Sequence, residues 1–210
     1  MKHSARFWNI IANHYARQPV ADQASYEKKL EITRSYFKPQ MQVFEFGCGT
    51  GSTAIAHAPY VKQIRAIDVS PKMVEIANSK AQAANVDNIQ FECAAINDYA
   101  INNASQDVVM AHSILHLVDN KKAIIQRSYS ILKPGGLFVT STACIGDMGW
   151  AFKLMGLLMP IGSRLGVLPA VKVFSENELA NAITDAGFRI EYQWRPGRDK
   201  AVFIIARKAI

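Results

Sequence analysis

Hydrophobic positions along the chain follow two alternating patterns. Short, continuous apolar runs occur at residues 43–46, 63–68, 89–93, 106–111 and 137–142. Continuous runs of this kind are typical of parallel strands that are buried on both faces. Two further runs, at 189–194 and 201–206, flank Pro196-Gly197 and predict a closing hairpin. The pattern predicts an α/β protein with a doubly wound sheet.

Segments with helical periodicity separate these runs. They cover residues 5–17, 23–36, 53–58, 71–85, 119–132 and 174–186. The first carries Phe7, Trp8, Ile11 and Tyr15 at helical spacing, and the second is expected to face Leu30, Ile32 and Phe37 inward. Ser175 and Glu178 form a capping box at the start of the last helix.

A glycine-rich turn follows the first apolar run, in the stretch Val43-Phe44-Glu45-Phe46-Gly47-Cys48-Gly49-Thr50-Gly51. Glycine permits positive φ and leaves no Cβ between the backbone and a ligand. The pattern differs from GxGxxG because the sixth position is Ser52, and no lysine follows Gly51 as a phosphate-binding loop would require. The carboxylate of Glu45 favours a cationic ligand over a pyrophosphate.

Asp68 ends the second apolar run, about twenty residues after the first glycine, which is the spacing at which an acid binds ribose hydroxyls. Together Glu45, Gly47, Gly49, Gly51 and Asp68 closely resemble the class I S-adenosylmethionine-dependent methyltransferase family. The turn Val69-Ser70-Pro71-Lys72-Met73 and the Leu-Lys-Pro-Gly-Gly sequence at 132–136 also resemble that family. The resemblance covers roughly residues 40–208 and implies a Rossmann-like, seven-stranded sheet with one antiparallel strand and helices on both faces.

The resemblance also implies a cofactor site for S-adenosylmethionine and its product S-adenosylhomocysteine. Glu45 should meet the methionine ammonium, Asp68 the ribose hydroxyls, and Val69 and Ile96 the adenine. The full set of expected cofactor-binding residues is Glu45, Gly47, Cys48, Gly49, Gly51, Asp68, Val69, Met73, Ala95, Ile96 and His112. Ala95 stands where the family usually has an adenine-binding aspartate, and Asp98 would replace it if the loop is shifted.

Two histidines follow the fourth apolar run, in Ala111-His112-Ser113-Ile114-Leu115-His116. His112 and His116 are candidate catalytic bases because imidazole titrates near neutral pH, and their spacing would place both on one helix face. Ordinary hydrogen bonding to backbone or solvent is the alternative. No third metal-ligating side chain lies nearby in the sequence, so no metal is expected. The chain has no Asn/Asp-Pro-Pro-aromatic motif at this position. Its Ala-His-Ser-Ile-Leu-His sequence instead resembles the methyltransferase type 11-like branch of the family, which acts on small molecules and lipids.

Residues 143–173 are apolar and rich in glycine and methionine, and they follow the fifth strand. We expect either a pliable lid over a hydrophobic acceptor or peripheral membrane contact. Extra core or a homodimer face remains an equal alternative. Tyr15 and Tyr26 are candidates for a lid on the other side of the cofactor, with ordinary packing as the alternative.

Charge and cysteine content narrow the classes of partner. The 210 residues include 24 Lys+Arg and 17 Asp+Glu, so the net charge is +7. The basic residues are scattered, and nucleic acid is therefore a poor fit. Three separated cysteines form no disulfide framework. With no signal peptide or membrane span recognisable, we expect a cytoplasmic location, with a peripheral position at the inner membrane surface left open.

The sequence therefore predicts one methyltransferase domain over 1–210. It comprises N-terminal lid helices (1–39), the cofactor-binding core (40–142), the apolar insert (143–173) and a C-terminal helix and hairpin (174–210). The expected function is methyl transfer to a small-molecule or lipophilic acceptor such as a quinone, a lipid head group or a metabolite. The alternatives are a non-catalytic, cofactor-binding regulatory protein and a nicotinamide-dependent oxidoreductase.

Overall fold

The computed structural model describes residues 2–149 and 171–210. Its helices are α1 (Lys2–Arg17), α2 (Gln23–Ser35), α3 (Ser52–His57), α4 (Pro71–Ala83), α5 (Lys121–Ile131) and α6 (Glu176–Asp185). Its strands are β1 (Gln42–Phe46), β2 (Gln63–Asp68), β3 (Ile89–Cys93), β4 (Gln106–His112), β5 (Leu132–Thr142), β6 (Phe188–Trp194) and β7 (Val202–Lys208). They form a seven-stranded sheet in the order β3-β2-β1-β4-β5-β7-β6. β7 runs antiparallel to β5 and β6, so the predicted fold class is confirmed.

The chain divides into two compact units, of which the first covers Met1–Tyr99. Within it β2 pairs in parallel with both β1 and β3. The three strands end at Phe46, Asp68 and Cys93, and parallel strands place such carboxyl ends at one edge of the sheet. The glycine-rich turn and the acid at the end of β2 are therefore neighbours.

The two N-terminal helices belong to this first unit. Asn9 of α1 accepts hydrogen bonds from the Ser70 hydroxyl (2.6 Å) and the Lys72 amide (3.2 Å), which ties α1 to the start of α4. Leu30 of α2 is buried as expected, and Ile32 and Phe37 are partly buried. The ring of Phe37, just after α2, lies 5.0 Å from the buried ring of His57. The other buried position of α2 is Thr33, whose hydroxyl bonds to the carbonyl of Lys29 within the helix (2.8 Å) and so needs no water.

The second unit covers Ala100–Ile210. β4 and β5 pair in parallel, but the register shifts between the Gln106–Leu132 and Val108–Leu137 pairs. The Lys-Pro-Gly-Gly segment, which the sequence predicted as a turn before the strand, therefore lies within β5 as an irregularity. Gly135 takes φ 74° there, a conformation that glycine adopts without strain.

Side-chain caps fix the helix starts in this second unit. The predicted capping box is confirmed, because Ser175 Oγ accepts from the Glu178 amide (3.1 Å) and Glu178 accepts from the Ser175 amide (2.7 Å). Of the 143–173 insert, residues 150–170 lie outside the described residues, so its predicted role stays a prediction. No helix in the described ranges is long and apolar enough to cross a membrane.

Candidate functional site

The glycine-rich turn between β1 and α3 has the backbone geometry that its sequence predicts. Gly47, Gly49 and Gly51 take φ of 69°, 53° and 75°, all in the left-handed region. Two of these glycines serve different purposes. A Cβ on Gly51 would lie 2.7 Å from Phe91 Cζ, so this glycine is required for packing. A Cβ on Gly49 would meet nothing within 4 Å, which marks the side of the turn that is open to a ligand.

Asp68 at the end of β2 holds the glycine turn in place. Its Oδ2 accepts from the Gly49 amide at 3.0 Å, and its Oδ1 accepts from the Ser70 amide at 2.9 Å. Burial raises the pKa of this carboxyl, while the backbone hydrogen bonds oppose that rise. A third backbone amide, that of Val69, also stabilises the carboxylate. A carboxylate has about four lone-pair sites, so capacity remains for a further donor such as a ribose hydroxyl.

Glu45 lies in the middle of β1 and is only 2% exposed. Its Oε2 has no hydrogen-bond partner among the residues that the structure describes. Burial, followed by the negative charge of Asp68, raises the pKa of Glu45 from 4.5 to about 8. A buried carboxyl oxygen without a partner is costly unless a donor reaches it, so the geometry favours a cationic ligand group here.

Two tyrosines from the N-terminal helices lie within electrostatic reach of these acids. Burial and then the charge of Asp68 raise the pKa of Tyr15, which remains half-exposed in α1. Burial also raises the pKa of Tyr26; a contact with Thr53 opposes the rise and the charge of Glu45 adds to it. The tyrosines that the sequence proposed as lid residues are thus close to the predicted cofactor acids.

The remaining cofactor candidates of the first unit differ in what they present. Cys48 is buried, and burial raises the pKa of its thiol well above the usual range. Its amide donates to the carbonyl of Ile67 (3.1 Å) and fixes the turn to β2. Met73 and Ile96 are buried, whereas Val69 and Ala95 are partly exposed. These four offer apolar surface rather than polar contacts.

Asp98, the proposed substitute for the adenine-binding aspartate, is exposed. Its amide donates to the carbonyl of Ala95 (3.1 Å) and closes the turn that follows β3. The structure therefore shows a backbone role for Asp98, and its carboxylate as an adenine ligand stays a prediction.

The two candidate histidines lie in the second unit. His112 is the last residue of β4, opposite Ser141 of β5. His116 lies in the turn that follows, so the expectation of a shared helix face is wrong. The reason is local: Ser113 takes a positive φ of 54° between them, which breaks any helical path.

Burial lowers the pKa of His116 to about 4. Its ring is therefore neutral at physiological pH, and its buried Nδ1 has no hydrogen-bond partner in the described part of the chain. An imidazole with so low a pKa is a weak base. The catalytic assignments of His112 and His116 both stay predictions.

Two side chains that shape this region were not found by sequence reasoning. Asn9 holds α1 against the start of α4, as described above. The only feature of the sequence that could have indicated this role is a polar residue inside the apolar run Phe7–Ile11, where asparagine is a poor helix former. Lys80 of α4 donates to the hydroxyls of Thr50 (3.1 Å) and Ser52 (3.2 Å) beside the glycine turn. Nothing in the sequence marks Lys80 apart from other surface lysines.

Comparison with known proteins agrees with this geometry. The fold is that of class I methyltransferases: the chain superimposes on an S-adenosylmethionine-dependent methyltransferase from Mesorhizobium loti with a TM-score of 0.71, at 21% identity, covering 89% of this chain and 99% of that one. Residues 43–136 match the family described as methyltransferase domain. The methyltransferase-domain match and this fold together support a class I S-adenosylmethionine-dependent methyltransferase, a family whose methyl donor is S-adenosylmethionine.

Curated relatives extend the comparison. An uncharacterized methyltransferase, YcgJ of Bacillus subtilis, is 27% identical over 52% of this chain and 44% of its own length. The tRNA 5-carboxymethoxyuridine methyltransferase of Escherichia coli is 33% identical over 47% and 38%. The ubiquinone biosynthesis O-methyltransferase of Xanthomonas axonopodis is 28% identical over 82% and 75%. The chain spans less than half the length of the first two, and the activity of the whole protein is therefore a proposal.

Proposed function

We propose that this protein transfers the methyl group of S-adenosylmethionine to a small-molecule or lipophilic acceptor. The observation that carries the proposal is the pair of buried acids, Glu45 and Asp68, beside a glycine turn whose open side is at Gly49. A cofactor with an ammonium, a sulfonium and a ribose diol is complementary to both acids. Neither acid would attract the pyrophosphate of a nicotinamide cofactor, because like charges repel in a buried site.

Each part of the turn has a role in holding the cofactor. Asp68 accepts from the ribose diol with the lone-pair capacity that the backbone amides of Gly49, Val69 and Ser70 leave free. Glu45 Oε2 accepts from the methionine ammonium, directly or through one water. The sulfonium supplies the electrophile, and the protein's contribution is to align it with the acceptor in a dry pocket. Positioning of this kind supplies roughly 7–11 kcal/mol of barrier reduction.

Two facts favour a lipophilic molecule as the acceptor. The ubiquinone biosynthesis O-methyltransferase aligns over 187 residues, more than the cofactor-binding core (40–142) contains. The tRNA methyltransferase aligns over only 100 residues. The sequence across 143–173, which follows β5, is also apolar. A lipophilic acceptor would be met at a membrane surface, which fits a cytoplasmic protein with peripheral contact.

The cofactor half is tested by calorimetric binding of S-adenosylhomocysteine. Asp68→Asn should weaken binding about 10–100-fold, because one or two hydrogen bonds to a charged acceptor, at about 1.5–3 kcal/mol each, are lost. The same variant should bind a 2′-deoxy analogue with a smaller loss, since that ligand lacks one donor. Asp87→Asn, at an exposed position in the same unit, is the matched control.

A purely structural role for Asp68 gives a different result. If the aspartate only holds the Gly49 and Ser70 amides, the substitution weakens both ligands equally and the ribose assignment fails. Measurable affinity for NAD or NADP in place of S-adenosylhomocysteine would instead support an oxidoreductase.

The acceptor half is tested by incubating the protein with cell extract and S-adenosylmethionine labelled in the methyl group. Label in the organic-solvent fraction supports a lipid or quinone acceptor, and label in the aqueous small-molecule fraction supports a metabolite. Label in RNA would overturn the small-molecule assignment. Binding of S-adenosylhomocysteine without label in any fraction would favour the alternative, a non-catalytic regulatory protein.

A further inference from the structure

Helix α1 packs against the first unit through its small residues. Ala12 is fully buried, and Asn9 accepts from Ser70 and Lys72 at the start of α4. Asn9, Ala12 and Ala16 are three or four residues apart and therefore share one face of the helix. Trp8, four residues before Ala12, borders the same face and is partly buried.

Most other large apolar residues of α1 lie away from this face and are incompletely covered. Ile10 is 71% exposed and Tyr15 is 49% exposed. Phe7, Trp8 and Ile11 are only partly buried. A helix whose large side chains pointed into a core would leave far less of them in contact with water. Phe7, Ile10 and Ile11 are three or four residues apart on one face, and this apolar stripe requires a different explanation.

The charge of the same helix is of one sign. The segment Lys2–Arg17 contains lysine, arginine and histidine but no aspartate or glutamate. Arg6 lies one turn before Ile10 and Arg17 two turns after it, and both arginines are exposed on the Ile10 face. The whole chain carries a net charge of +7. An exposed isoleucine between two arginines, beside aromatic side chains, is the composition of helices that lie in a membrane interface.

We propose that α1 binds the surface of a bilayer containing anionic phospholipid, with Ile10, Phe7 and Ile11 in the acyl boundary and Arg6 and Arg17 at the head groups. RNA would be attracted by the same charges but would leave Ile10 in water, so the apolar stripe favours lipid. The inference goes beyond methyl transfer and does not rest on it, because vesicle binding is measured without cofactor or acceptor.

The test is sedimentation of the full chain with vesicles of phosphatidylcholine containing 30% phosphatidylglycerol, against phosphatidylcholine alone. Binding should require the anionic lipid and fall as salt is raised. Arg6→Gln with Arg17→Gln should weaken binding about 25-fold, at about fivefold for each basic residue. Ile10→Ser should weaken it about tenfold through the apolar contact that is lost.

Matched controls use exposed residues elsewhere. Val173 is 50% exposed, so Val173→Ser tests whether any exposed apolar residue has the same effect. Lys38→Gln with Lys62→Gln removes the same charge from other exposed positions. Equal losses in the controls, no binding by the wild-type chain, or binding to neutral vesicles alone would overturn the proposal. So would single-stranded RNA that binds more tightly than the vesicles and depends equally on Arg6 and Arg17 but not on Ile10.

Discussion

Replacing Glu45 with glutamine should abolish a pH dependence in cofactor binding that the wild-type chain is expected to show. Glu45 is buried beside Asp68, and its pKa is raised to about 8. In the empty protein at neutral pH this carboxyl is therefore mostly protonated. A cofactor ammonium binds the carboxylate form, so binding must displace the proton.

The magnitude follows from the fraction of Glu45 that is ionised. With a pKa of about 8, roughly 1% is ionised at pH 6 and about 9% at pH 7. The apparent dissociation constant equals the intrinsic one divided by this fraction. Binding of S-adenosylhomocysteine should consequently tighten about ninefold from pH 6 to pH 7. The amino group of the ligand stays protonated across this range, because α-amino groups titrate near pH 8.

Titration calorimetry measures both consequences. The dissociation constant should follow the ninefold change, and the apparent enthalpy at pH 7 should vary between phosphate and Tris buffers as about 0.9 proton is released per ligand. Glu45→Gln should bind more weakly at pH 7 and lose both effects. Glu31→Gln, at an exposed position, should retain them. Equal wild-type affinity at pH 6 and pH 7, with no buffer dependence of the enthalpy, would refute the reasoning.

Three further predictions concern stability. Gly51→Ala should lower the free energy of unfolding by roughly 2–5 kcal/mol, because its Cβ would lie 2.7 Å from Phe91 at a positive φ. Gly49→Ala should lower it by about 1–2 kcal/mol and mainly impair ligand binding. Urea titration compares the two variants. Because the pKa of Glu45 is raised, the folded state keeps a proton that the unfolded state loses above pH 4.5. The free energy of unfolding should therefore fall towards pH 8, and be lower at pH 7 by on the order of 3 kcal/mol. Glu45→Gln should flatten this pH dependence in thermal melts across that range. Ser175→Ala should cost about 1 kcal/mol through loss of the capping box, and no change in the urea midpoint would contradict that role.

Local patterns in the sequence were sufficient for the elements of the fold. Apolar-rich runs located the strands. The run of β4 is nearly continuous because that strand is largely buried, whereas β6 and β7 were found as a hairpin around Pro196-Gly197. The capping box at Ser175 was predicted because a cap depends only on residues three positions apart. The glycines and Asp68 were found together because their spacing reflects a loop and the next strand of one sheet.

Distant contacts account for what the sequence did not predict. His112 and His116 were expected on one helix face, but the pairing of β4 with β5 extends the chain at His112 and a positive φ at Ser113 turns it away. Asn9 bonds to residues about sixty positions away, a distance that no local pattern encodes.

The sequence by itself determined the fold class and the presence of Glu45 and Asp68 beside a glycine turn, since these depend on periodicity and short spacings. Only the tertiary structure decided that Gly51 serves packing while Gly49 faces open space. It alone decided that Glu45 is buried enough to hold a proton at neutral pH. The physical reason is that burial, electrostatic environment and free space are properties of what surrounds a residue, and most of those neighbours are remote in the chain.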